Sequence, residues 1–218
     1  MRNTITKISC FCICIACSTF LHGQPVRTIN ISLAKNSHYY KKGLEATADS
    51  AFKIASAVFS SKEFQDSLTY LDEFMYLNHC AEDKCDNINY SGSAKISGKI
   101  VLDSLFRQSN VTMELNLKKR GGAMGSTCPN TFLTTAYYKN IIENIPLTEL
   151  PFSYSLAVNL CHEYMHQVGY CHVYDSINEP EGGKYPDPEY IDKDVAYRVG
   201  WIAYYILIRW NSEKKQIL

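Results

Sequence analysis

Apolar residues recur along this chain with two periods, and the alternation between them sketches its elements. From Leu44 to about Ser60 the positions Ala46, Ala48, Ala51, Ile54, Ala55, Val58 and Phe59 follow a helical distribution. A second, short helix is predicted to start after Ser60 or Ser61 and to run through Phe64, Leu68 and Leu71. Tyr76 to Ser93 reads as a polar loop, and Lys95 to Phe106 as a further helix with Ile96, Ile100, Val101 and Leu105 on one side. Val111 to Leu117 alternates at period two, the mark of a half-buried strand. Gly121, Gly122 and Gly125 break the chain before a second strand, Phe132 to Tyr138.

A loop containing Pro146 and Pro151 leads to a helix that buries Leu156, Leu160, Tyr164 and Val168, with Ser153 or Ser155 as its cap. Beyond it lies a stretch rich in proline, glycine and acidic residues, Asn178 to Tyr190. The last predicted helix, about Asp194 to Trp210, is heavily apolar through Val195, Val199, Ile202, Ile206 and Leu207, so it belongs in the core. Together with an extended N-terminal stretch at Ile29 and Ile31, and with no repeats, the pattern predicts a small α+β domain.

The chemistry is concentrated in the C-terminal half of the Leu156 helix. Residues 162 to 172 place His162, Glu163, His166, Gly169 and His172 at the spacing HExxHxxGxxH, using three of the six histidines of the chain. Residues four apart share a helix face, so His162 and His166 can present imidazoles to one ion. Glu163 sits about 100° around the helix from His162, beside the metal rather than bound to it. Gly169 permits the left-handed backbone that ends a helix, which lets His172 approach from another direction. Three neutral ligands leave a position open on Zn²⁺, where a water becomes acidic enough to act near neutral pH. Glu163 is then the candidate general base.

This segment resembles the zinc-binding signature of the metzincin clan of metallopeptidases. The resemblance implies a zincin-like α+β fold with a small mixed sheet, an active-site helix and a buried C-terminal helix, and it implies a protein or peptide substrate. It also implies a methionine turn downstream, and here the chain departs: its methionines are Met1, Met75, Met113, Met124 and Met165, none of them after His172. Several zincin families place a tyrosine near the metal, and by analogy Tyr197 is a candidate donor to the oxyanion. With 16 tyrosines in the chain, a packing role for Tyr197 is the competing reading. The blocks Gly125 to Thr131 and Tyr197 to Gly200 also resemble segments of bacterial secreted zincin-like proteins. In zincins the strand before the active-site helix commonly forms the edge on which an extended peptide lies. Thr134 to Tyr138 resembles that strand, with an interior strand as the alternative.

The ends add a destination. Residues 1–23 carry Arg2 and Lys7, then an uncharged apolar run from Ile8 to Leu21, then His22 and Gly23, the layout of a secretory signal peptide. Cleavage after Gly23 leaves one domain, 24–218, secreted, periplasmic or at the cell surface. Ile15, Ala16 and Cys17 form a degraded lipobox that offers lipidation at Cys17, but Cys14 stands where a leucine is expected, so cleavage is the favoured reading. No second apolar segment reaches about 20 residues, which excludes a helical span in the mature chain. Loss of Arg2 and Lys7 moves the net charge from zero to minus two, and the only basic cluster, Lys118 to Arg120, is too small to suggest nucleic acid.

Five cysteines remain in the mature chain: Cys80, Cys85, Cys128, Cys161 and Cys171. An odd count leaves at least one unpaired, and Cys80 with Cys85 could close a local disulfide. Cys161 and Cys171 each precede a ligand histidine, but buried packing is the favoured role because helical phase turns Cys161 away and His172 is better placed than Cys171. His38 and His79 read as surface residues. Asp175 and Glu179 are candidate acceptors for the free N–H of a ligand histidine. Among alternatives, a zinc amidase acting on peptidoglycan uses the same chemistry. A non-catalytic zinc-binding or adhesion protein has no use for Glu163.

Overall fold

A computed structural model describes residues 25–71, 74–77, 93–127, 132–145, 151–170, 172 and 194–213. The proposed signal peptide with His22 and the lipobox Cys17, together with His79, Cys80, Cys85, Cys128, Cys171, Asp175, Glu179 and the acidic loop, lies outside the described residues. Within them the chain is mixed α+β, with six helices around a small mixed sheet.

The sheet is built on β5 (Asn110–Lys118), the longest strand. β1 (Asn30–Leu33) and β2 (His38–Tyr39) both run parallel to it on one side, at Ile31↔Val111 and Tyr39↔Leu117. On its other side β7 (Leu133–Tyr137) is also parallel, and β6 (Gly125–Thr127) closes the order as an antiparallel strand on β7. Val111, Met113, Leu115 and Leu117 of β5 are buried while Thr112 is exposed, so the predicted alternation holds and one face of the sheet meets the helices.

The helix α1 (Glu45–Phe59) lies where its apolar residues predict, and its Ser56 and Ser60 hydroxyls accept the backbone N–H groups of Ile31 and Ile29 at 2.8 and 3.0 Å. These bonds satisfy edge donors of β1 that would otherwise need water. Ser61 caps α2 (Lys62–Thr69), as anticipated, by accepting from Phe64 N at 3.1 Å.

Several boundaries move. Residues 93–96, read as part of a loop and the start of a helix, form β4 (Ser93–Ile96), which pairs antiparallel with β3 (Phe74–Leu77). The following helix, α3, begins only at Gly98 and ends at Leu105. Gly98 packs so tightly on α2 that a Cβ there would lie 1.7 Å from the Leu68 carbonyl oxygen, which fixes the junction by tertiary contact rather than by periodicity. Tyr138, expected to end a strand, begins α4 (Tyr138–Asn144).

Ser153 and Ser155 do not cap the motif helix, α5 (Phe152–Gln167); Pro151 holds the N-cap, and Ser155 is buried in the helix, donating to the Ile145 carbonyl at 3.2 Å. The final helix, α6 (Val195–Ser212), buries Val195, Val199, Ile202, Ile206 and Leu207 as predicted. α5 packs between α1 and α6, buried around most of its circumference.

The edge assignment for Thr134 to Tyr138 is overturned. β7 lies between β5 and β6, and the edge is β6, three residues that the glycine-rich sequence had marked as a break. So short a strand has too little alternation to be legible.

Candidate metal centre

His162 and His166 are fixed by α5, one turn apart, with ring centroids 5.1 Å from each other. The helix then ends in a Schellman turn. Gly169 takes φ +103°, its N–H donates to the His166 carbonyl at 3.1 Å, and Tyr170 N–H reaches the Met165 carbonyl at 3.0 Å. This is the left-handed glycine the spacing required. The chain turns back, and the His172 ring comes within 5.0 Å of His162 and 4.5 Å of His166. One ring nitrogen from each of the three histidines falls in a cluster no wider than 4.8 Å, so His162, His166 and His172 could together hold a metal ion.

The far side of each ring is engaged by the protein. His166 Nδ1 donates to the Tyr170 carbonyl at 2.5 Å, a bond created by the same turn that ends the helix. The backbone carbonyl of Ala196 lies beside His162 and favours an N–H on that ring, and His172 Nδ1 lies 3.2 Å from Asp194 Oδ2. An imidazole that gives one N–H to an acceptor presents a lone pair on its other nitrogen, so these acceptors select the ligating tautomer. Burial supports the same form: desolvation, with repulsion from His172, pushes His162 well below its usual range and His166 down to about 4. Neutral imidazole is the state that binds metal. The donor set therefore fits a divalent ion of the zinc type.

Glu163 is 2% exposed and borders this cluster. Burial pushes its carboxyl up to about 7, although donation from Thr127, the nearby His172 charge and Asn159 oppose the shift. Asn159, one turn earlier on α5, directs its Nδ2 at Glu163 Oε1 across 3.5 Å. Strand β6 runs directly against the carboxylate: a Cβ at Gly125 would stand 2.2 Å from Glu163 Oε1. The glycine that reads as a chain breaker is thus the place where a backbone must approach a side chain closely.

Tyr197 is in the site. Its ring stacks on His172 at 4.5 Å and 26°, and meets His162 edge-on at 4.9 Å. Helix α6 approaches closely because Gly200 faces α5, where a Cβ would already touch His162 Cβ at 3.4 Å. A mostly apolar cavity of about 310 Å³ opens beside His162 and Tyr197, walled by Met124, Ile145, Val158, Trp201 and Tyr204.

Cys161 is fully buried, and desolvation raises its thiol far above the usual range, as suits a packing residue. His38 is exposed on β2, away from the cluster. Sequence reasoning missed Asp194, Asn159 and the roles of Gly125 and Thr127. Asp194 stood at the predicted start of the last helix, and only its three-dimensional position brings it to His172. No family model matches the chain, and neither a curated protein nor a solved structure matches it.

Proposed function

We propose that this protein is a secreted zinc metallopeptidase of zincin-like architecture, with His162, His166 and His172 as ligands and Glu163 as general base. The observation that carries this reading is the convergence of the three imidazoles beside the buried Glu163 carboxyl. A zinc ion there would supply Lewis acidity, polarising an amide carbonyl and acidifying the attacking water. Glu163 takes the proton from that water and later returns it to the leaving amine, a shuttle open to a buried carboxylate that borders the three imidazoles. Asn159 reaches the carboxylate at Oε1, and Tyr197, whose ring stacks on His172, is the candidate donor to the developing oxyanion.

The surroundings favour an extended chain as substrate. Among the described residues no strand pairs with the outer side of β6, so a peptide could add there by main-chain hydrogen bonds while one of its apolar side chains enters the cavity beside His162. Export is the setting proposed from residues 1–23. No helix among the described residues is long and apolar enough to cross a membrane.

The test is a comparison of wild type with Glu163→Gln, each loaded with zinc and incubated with a peptide library and, separately, with peptidoglycan. Wild type should generate peptide fragments, and the variant should lose several orders of magnitude in rate while keeping its metal. Cleavage confined to peptidoglycan would replace the peptidase with an amidase. Identical product profiles from both proteins would leave a metal-binding protein without catalysis.

A further inference from the structure

Asp194 is 3% exposed and uses its two carboxylate oxygens for different tasks. Oδ1 accepts the Tyr197 N–H at 3.0 Å and so caps α6, while Oδ2 faces His172 Nδ1 at 3.2 Å. The same first turn supplies the Ala196 carbonyl that His162 engages and the Tyr197 ring that stacks on His172. Two of the three candidate ligands are therefore oriented from one turn of a helix that contributes no ligand itself.

We propose that Asp194 is a positioning residue that ties the third metal ligand to the start of α6: its carboxylate holds the His172 proton on Nδ1, leaving Nε2 to ligate, and the same group sets the helix turn that carries Ala196 and Tyr197. This rests on the metal-centre reading above. A neutral cap such as Ser, Asn or Thr satisfies a helix N-terminus about as well as Asp, so capping alone does not require a carboxylate. A second oxygen within reach of an imidazole N–H does, because hydrogen bonding of that kind fixes both tautomer and ring orientation.

Serine separates the two tasks, since its hydroxyl caps a helix but is too short to reach His172. In Asp194→Ser the metal-free protein should melt within about 2 °C of wild type, while zinc affinity, measured by competition with a chromogenic chelator, falls about 10–100-fold. Asp194→Ala should lose similar affinity and also melt about 2–4 °C lower, because the cap is gone. A readout that a purely structural role would not move is the ¹⁵N shift pattern of His172 in the metal-free proteins. Wild type should carry the proton on Nδ1, and Asp194→Ser should show a mixture of tautomers. Wild-type affinity in Asp194→Ser, or an affinity loss matched by the same drop in melting temperature as in Asp194→Ala, would overturn the positioning role. Failure of wild type to bind zinc would instead defeat the metal-centre reading, and the His172 shifts in the metal-free proteins would still report whether the Asp194 contact exists.

Discussion

The two helices that enclose the site contribute to it in opposite ways. α5 carries two candidate ligands and the candidate base in a spacing dictated by helix geometry, and the turn at its C-terminus delivers the third candidate ligand. α6 carries no ligand. With its cap Asp194 it supplies a carboxylate facing His172, a backbone carbonyl beside His162 at Ala196, an aromatic ring against both histidines, and a glycine that lets the two helices close on each other. The first helix decides which atoms meet, and the second decides which way they face. Metal chemistry needs both, because a correctly placed imidazole with its proton on the wrong nitrogen cannot bind.

The largest effect should come from cutting into α5. His162→Ala and His166→Ala each remove one of three candidate ligands, and zinc affinity should fall on the order of 10³-fold or more, leaving no stoichiometric metal after dialysis. Elemental analysis of the dialysed proteins decides this. Undiminished zinc in either variant would mean that the ion sits elsewhere, and the division of labour between the helices would dissolve.

That division also explains what could be read in advance. His162, Glu163, His166, Gly169 and His172 lie within one local segment, where 3.6-residue periodicity and a left-handed turn translate spacing directly into geometry. The alternation Val111 to Leu117 and the apolar stripe of α6 are local in the same sense, and both hold. What failed was non-local. β6 is too short to show a period, Gly98 starts α3 because of α2, and Asp194 meets His172 only through the packing of α6 on α5. Asp175 and Glu179, candidate acceptors close to His172 in sequence, lie outside the described residues, and among the described ones Asp194, 22 residues away, faces His172. Gly125 carried a signal, a glycine flanking a strand, but its meaning depends on Glu163 standing opposite.

A smaller effect should follow from α6. Tyr197→Phe keeps the ring that stacks on His172 and removes only the hydroxyl, so zinc content and folding should be preserved. If the hydroxyl donates to the oxyanion, kcat should drop about 10²–10³-fold with KM little changed. Single-turnover rates on a substrate found in the library screen would measure it. Full activity would restrict Tyr197 to packing and reduce the contribution of α6 to orientation alone, which sharpens the contrast between the helices rather than erasing it.

The smallest effect concerns what α5 gives up in stability to hold the Glu163 carboxyl in a buried site. In the folded metal-free protein the Glu163 carboxyl titrates near 7, against 4.5 when unfolded and solvated. As pH rises through that window the unfolded chain releases its proton first, so the stability associated with this group is present below 4.5 and is lost as pH climbs through 7. Gln imitates the protonated carboxyl at every pH. Metal-free Glu163→Gln should therefore match wild type near pH 4.5 and exceed it above pH 8, by up to about 3 kcal/mol, the free-energy equivalent of the shift. His162 and His166, held neutral by burial, push the other way, losing stability as pH falls below the ordinary histidine range. Their contribution is common to both proteins and cancels in the difference. Urea unfolding of chelator-treated wild type and variant at pH 5 and pH 8 isolates the carboxyl. A difference that stays constant between the two pH values would show that Glu163 is solvated in solution, and α5 would then carry a ligand array without a tuned base.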